Sequence, residues 1–326
     1  VALDFPSSPT VGQLFPTTNP QWQWNGTIWA PYYSLVGIPD APNDGSIYAR
    51  QSNSWLGIRN AYDEDIAVNG AMEVNQFTQG VQVNLTGGGG NYVIDQWLLS
   101  FTGAGAAFQG QWASPLGAPF GGGGFGLTLQ MKATTALSSS LGSCDGAFYI
   151  QNIEGFRVQR LGWGGATGSP VTIAFWVYAT VAGTGTLAIR NNNSTRSYLA
   201  NFTVNSPATP EYKVITVPPE TTGSWYQNNA VGWYLTLSFA CGAGLQGALG
   251  WSNANVIGTS STTNFFLTNN NLVQITGLTI RSGNDAPSAA RSSLVKRHWV
   301  DELRLCQRYW NSSYQYGVNA GTIDGA

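Results

Sequence analysis

Charge is scarce in this chain. Of 326 residues, 14 are Lys or Arg and 16 are Asp or Glu, leaving a net charge of −2. Nucleic-acid binding normally needs a basic surface, so that partner class is excluded. The one basic cluster, Arg291 to Arg297, is short and adjoins a predicted helix. Histidine occurs once, at His298, which removes multi-histidine metal sites and leaves a single imidazole base. Cysteine occurs three times, at Cys144, Cys241 and Cys306, with no Cys-x-x-Cys pair. That is neither a disulfide framework nor a zinc site. Three buried free thiols are expected, with a Cys144–Cys241 bridge left open. No apolar run approaches the roughly 18 residues of a membrane span, and no signal-peptide pattern opens the chain.

Glycine (41) and aromatic residues (13 Trp, 14 Tyr, 14 Phe) are what the sequence has in quantity. Disordered chains are poor in aromatics, so this is a folding composition with a neutral, amide- and hydroxyl-rich surface. Residues 1–30 read as a compact module. Asn25-Gly26 is its strongest hairpin signal, because both residues tolerate the positive φ of a type I′ turn. A turn there sets Trp24 opposite Thr27, Gln23 opposite Ile28 and Trp22 opposite Trp29. Trp22, Trp24 and Trp29 then share one face. A miniature core and an aromatic platform for a sugar or partner chain both fit that face. Residues 31–62 read as a linker or irregular extension.

From Asp63 the pattern becomes one of short β runs. Strands are predicted at Ala71–Val74, Gln96–Phe101, Gly126–Lys132, Ala147–Ile150, Val171–Tyr178, Gly185–Ile189, Tyr198–Val204, Lys213–Val217, Trp233–Phe239 and Leu272–Ile280. With no helical periods between them, they imply an all-β fold, an antiparallel β-sandwich of the jelly-roll kind over residues 63–316. Val171–Tyr178 has the composition of a strand buried on both faces. Gly87–Gly90 and Gly121–Gly124 lack phosphate-loop spacing and read as loop tips. A helix is predicted at about 294–310. In it Trp299, Leu303, Cys306 and Trp310 form one apolar stripe, suited to capping the sandwich or meeting a symmetry mate. Residues 317–326 read as a tail.

Catalytic machinery is not legible. No Gly-x-Ser-x-Gly motif surrounds a serine, and Asp95, Asp145, Glu154, Glu211 and Glu220 are scattered without a spacing that pairs any two. Asp63, Glu64 and Asp65 form the densest acidic cluster, which reads as a solvated turn with a weak alternative as a Ca²⁺ site. No cofactor and no other metal site is expected. Sugar recognition would run through exposed aromatic rings and amides. Trp22, Trp24 and Trp29 are the first candidates, and Trp225, Tyr226 and Trp251 the second.

Two segments carry a family resemblance. DFPSSPTVGQLF followed by WQWNGTIW resembles a Pro/Gly-then-Trp module of tailed-bacteriophage virion proteins, tail fibres above all. The match lies at Pro6, Pro9, Gly12, Gln13, Trp22, Trp24, Asn25, Gly26, Thr27 and Trp29. The region from Met72 to Tyr316 resembles the sandwich of tail-fibre and tail-spike-like proteins, through Val171–Tyr178, Arg196–Phe202, Glu211–Val217 and Glu302–Trp310. It is also similar in layout to carbohydrate-binding jelly rolls. The resemblance implies a homotrimeric virion appendage, joined to other virion proteins by its N-terminal module and contacting host surface glycans. A capsid-decorating protein and a stand-alone carbohydrate-binding module stay open, and a polysaccharide depolymerase stands behind them.

Overall fold

The computed structural model describes residues 4–16, 21–32, 47–51, 54–58, 65–117, 120, 124–311 and 316–318. The backbone divides into two compact units, Val1–Tyr62 and Asp63–Ala326.

In the first unit, β1 (Leu14–Phe15), β2 (Gln21–Trp24) and β3 (Trp29–Tyr32) form an antiparallel sheet. Trp24 pairs with Trp29, Gln23 with Ala30 and Trp22 with Pro31, so the turn is centred one residue later than the sequence suggests. Gly26 takes the positive φ (+100°) and Asn25 does not. The Asn25 Oδ1 instead accepts from the backbone N–H of Thr27 and of Ile28, both at 2.9 Å. A side-chain turn of that kind competes with the type I′ geometry and moves the loop onto Gly26-Thr27. The shift displaces pairing by two residues, which leaves every side chain on its face. Trp24 therefore meets Trp29 at 5.7 Å, while Phe5 stacks on Trp29 at 5.1 Å and meets Trp22 edge-on at 5.8 Å. A hairpin of β4 (Ile47–Gln51) and β5 (Ser54–Ile58) occupies part of the stretch read as irregular. Its β-branched and aromatic residues flank Ser52-Asn53 in sequence, a short strand–turn–strand pattern.

The second unit is an antiparallel sandwich. Its strands begin with β6 (Val83–Asn84), β7 (Gly90–Ile94), β8 (Trp97–Thr102), β9 (Ala107–Ala113), β10 (Thr128–Thr135) and β11 (Gly146–Glu154). They continue with β12 (Val171–Ala179), β13 (Gly183–Asn191), β14 (Ser197–Val204), β15 (Glu211–Val217), β16 (Val231–Cys241), β17 (Gly250–Ser252) and β18 (Leu272–Ser282). One sheet has the order β15-β12-β18-β10-β9-β6 and the other β17-β14-β13-β16-β11-β8-β7. Alternate residues of each strand face the gap. Ile173, Phe175 and Val177 of β12 meet Leu187, Ile189, Leu235 and Leu237 of the opposite sheet in one continuous core. Outward-facing Trp176 packs on Phe120 and Tyr212, so β12 is covered on both sides as its composition implies.

Tyr149 crosses between the sheets. From β11 its hydroxyl accepts from Met131 N (2.9 Å) and donates to Val273 O (2.7 Å). Met131 and Val273 are partners in the β10–β18 ladder, so a phenol of one sheet fills a rung of the other.

Ala71–Val74, predicted as a strand, is irregular. Its ladder bonds are replaced by buried Asn69, whose amide donates to Val74 O (2.7 Å) and accepts from Val74 N (2.9 Å). The glycine tip at 87–89 precedes β7, and Gly121 to Gly123 lie outside the described residues. Cys144 is exposed, against the expectation of three buried thiols, because it sits in a tight loop closed by Asp145 N on Gly142 O (3.1 Å). Cys241 and Cys306 are buried, and all three are free.

The predicted long helix is two pieces. Ala289–Val295 is a 3₁₀ turn, and the α-helix proper runs over Trp299–Gln307. Exposed His298 precedes it, its carbonyl accepting from Asp301 N and Glu302 N. Cys306 packs on Val68 and Val74 with Leu303 half-buried beside it. Trp299 and Trp310 stay partly exposed, set edge-on against Tyr316 and Phe77 respectively. The stripe is thus buried only at its centre. Glu302 is buried too, bound to Arg297 Nη1 (2.9 Å) and to Asn69 N (2.5 Å). Among the described residues, no helix is long and apolar enough to cross a membrane.

Candidate functional site

Four segments converge at one end of the seven-stranded sheet around a cavity of about 530 Å³. The β7–β8 turn places Asp95 and Gln96 there, with Tyr92 and Ile94 leading into it. The end of β11 contributes Asn152 and Glu154, and the entry to β16 contributes Asn229, Ala230 and Val231. The last wall comes from beyond the helix, as Tyr309 and Trp310, with Phe77 edge-on to Trp310 at 5.8 Å. Exposures of 63% for Phe77, 50% for Tyr92, and 41% each for Tyr309 and Trp310 show four rings offering surface rather than filling a core.

Each carboxylate in the cavity is fixed differently. Glu154 takes a two-pronged guanidinium contact, Arg308 Nη2 to Oε1 at 2.6 Å and Nε to Oε2 at 3.1 Å, and the Tyr309 hydroxyl at 2.6 Å. Burial works to raise the Glu154 pKa, but the Arg308 and Tyr309 hydrogen bonds outweigh it and hold the carboxyl below its ordinary value. The same contact, added to burial, pushes the Tyr309 phenol up to about 12. Asp95 accepts from Gln76 N (2.6 Å) and Gln76 Nε2 (2.7 Å). Gln76 Nε2 also reaches Trp310 O at 3.3 Å, tying the turn to the C-terminal wall. Burial is the leading influence on Asp95 and raises its pKa. Asn152 Oδ1 is buried without a hydrogen-bond partner.

The residues singled out from sequence are distributed elsewhere. Trp22, Trp24 and Trp29 form the aromatic face of the first unit with Phe5 and Phe15. Trp225 and Trp251 stand edge-on to Trp163 at 5.2 and 5.4 Å, and Trp163 meets Trp233 at 4.6 Å. Trp225 is buried and donates to Thr222 O, while the Arg196 guanidinium lies 5.5 Å over the half-buried Trp251. Tyr226 borders a crevice of about 10 Å³ beside them. Asp65 is half-buried, its Oδ1 accepting from Ala67 N (3.0 Å) and Ile280 N (2.8 Å), while Asp63 and Glu64 lie outside the described residues. Among the described residues, no group of three His, Cys, Asp or Glu is placed to hold a metal ion.

Trp310, read as a packing residue, is a pocket wall, and Asp95 and Glu154, read as unpaired, line one cavity. Phe77, Tyr92 and Tyr309 were missed. The one sequence signal pointing to them is Arg308-Tyr309-Trp310, a cation and two rings beyond the helix.

No protein-family model matches the sequence, and a search of curated proteins finds no match. Solved structures do show similarity. The enzymatically active domain of bacteriophage CBA120 tailspike protein 4 matches with a TM-score of 0.34 and 10% identity, over 67% of this chain and 21% of that one. The N-terminal modules of endo-1,4-β-D-xylanase 10B from Clostridium thermocellum, complexed with xylohexaose, match at 0.32 and 14% identity, over 70% and 30%. A family 11 carbohydrate-binding module from Clostridium thermocellum, in complex with a mixed-linked tetrasaccharide, matches at 0.28 and 12% identity, over 62% and 95%. The chain spans about a fifth of the tailspike domain and under a third of the xylanase chain.

Proposed function

We propose that this chain binds glycans through the pocket at the sheet end, as an appendage component of a tailed-bacteriophage particle that attaches to host surface polysaccharide. The observation that carries the reading is the pocket itself, in which four half-exposed rings surround Asp95, Gln96, Asn152, Glu154 and Asn229. Ring faces pack on sugar C–H surfaces, and amides and carboxylates match hydroxyl groups. A cavity of this size with a few convergent polar groups is the usual form of a small-ligand site. The virion placement rests on the resemblance of the Trp module and of Glu302–Trp310, and it carries the expectation of a homotrimer.

Titration calorimetry with host-surface oligosaccharides tests the binding claim. The double variant Tyr92→Ala, Trp310→Ala is expected to lose roughly tenfold or more in affinity, as aromatic anchors commonly do. Equal affinity in wild type and double variant ends the assignment to this pocket. A stable monomer by light scattering removes the fibre placement and leaves a stand-alone binding module. We read the site as binding; Arg308 and Tyr309 hold Glu154 as an acceptor, so it cannot serve as a general acid, and any cleaving role would fall to Asp95. Release of reducing ends from a bound polysaccharide would overturn that part.

A further inference from the structure

Both charged residues lining the pocket are acidic, and they are not equivalent. The charge of Glu154 is met by Arg308. Asp95 is approached by neutral donors, the Gln76 backbone N–H and side-chain amide. Among the described residues it makes no salt bridge, and no cation is among the groups that act on its titration. A buried carboxylate without a countercharge is costly, and proteins generally pair such groups.

The hydrogen-bond inventory points the same way. Each Asp95 oxygen takes one donor from Gln76, so each has a lone pair left. Asn152 Oδ1, in the same lining, is a buried acceptor with no donor. The vacant capacity is acceptor capacity. Around it stand the rings of Phe77, Tyr92, Tyr309 and Trp310, whose faces carry the negative end of the aromatic quadrupole. An ammonium group has three donors, no acceptor and a positive charge.

We infer that the pocket selects a glycan bearing a free, protonated amine, an amino sugar, whose ammonium group is received by Asp95 and Asn152 among the four rings. The inference rests on the glycan-binding reading of the same pocket. An N-acetylated sugar loses the charge and two of the three donors, and an acidic sugar meets two carboxylates.

The test is calorimetric titration near neutral pH with three probes of matched length, a glucosamine oligosaccharide, its N-acetylated counterpart and a glucose oligosaccharide. The free amine is expected to bind about tenfold tighter than either other probe, the scale of a desolvated cation–π and charge contact. In Asp95→Asn that preference of amine over glucose probe is expected to shrink to about twofold or less. Wild-type affinities that are equal for amine and glucose probes overturn the amine selection and leave glycan binding standing. A preference that survives in folded Asp95→Asn overturns the assignment to Asp95. Binding of none of the three probes removes both readings. The wild-type comparison decides the selection whether or not the variant folds.

Discussion

Replacing Tyr149 by Phe keeps the ring that fills the core and removes one oxygen. That oxygen holds two buried backbone groups of the opposite sheet, Met131 N–H at 2.9 Å and Val273 C=O at 2.7 Å. The ring is fully buried, and burial lifts its phenol well above the ordinary value, so the hydroxyl stays protonated. Each backbone group left unpaired costs about 1–3 kcal/mol, and partial relaxation of the two strands recovers some of it, giving a net loss of about 2–4 kcal/mol. For a unit of this size each kcal/mol moves the melting temperature by about 2–4 °C, so a fall of roughly 4–16 °C is expected. Urea unfolding should show a lower midpoint at unchanged slope, because the surface exposed on unfolding is the same. A loss under about 0.5 kcal/mol would refute the reasoning, since Met131 N–H and Val273 C=O would then have paired directly.

Cys144 alone should react rapidly with a thiol reagent in the native protein, and all three thiols after denaturation, because burial pushes the Cys241 thiol up to about 12 and raises that of Cys306 as well. Three fast native thiols would contradict the burial. Glu154→Gln should lower stability relative to wild type by on the order of 1 kcal/mol, a discounted value because Arg308 is half exposed. The folded Glu154 pKa is depressed, so its contribution is fully present above the unfolded value of about 4.3 and disappears as pH falls through the folded one. Melting-temperature differences between wild type and variant should therefore vanish toward low pH, and a difference that is constant from neutral to strongly acid solution would remove the ion pair as its source.

The sandwich was legible because its central strands are long, β-branched and aromatic. Val171–Tyr178 was read within one residue of β12. The strands β6, β7, β9 and β17 were not. β9 carries Gly110 at its centre, where a Cβ would stand 2.5 Å from Val93 Cγ2 and 2.9 Å from Leu99 Cδ1, so the glycine marks close packing inside a strand. Ala71–Val74 misled in the opposite direction, because a short apolar run does not reveal that Asn69 supplies its hydrogen bonds. The pocket was hidden for a topological reason. Asp95 and Glu154 meet only once β8 lies beside β11, and Trp310 joins them through Gln76. Periodicity reports which face a residue occupies but not which distant strand comes beside it.

Phe77 lies early in the sandwich sequence and Trp310 close to its end, and both edge the same opening with the β7–β8 turn and the β16 entry between them. Such a site works as a clasp on the chain's own closure. A molecule seated there touches the first and last parts of the unit at once, and it cannot bind a form in which the residues after the helix have lifted away. Occupancy is then worth folding free energy, about 2.7 kcal/mol at a hundredfold excess over the dissociation constant. The unit would be stiffest when the pocket is filled, and resistance of the C-terminal segment to proteolysis would serve as a gauge of occupancy.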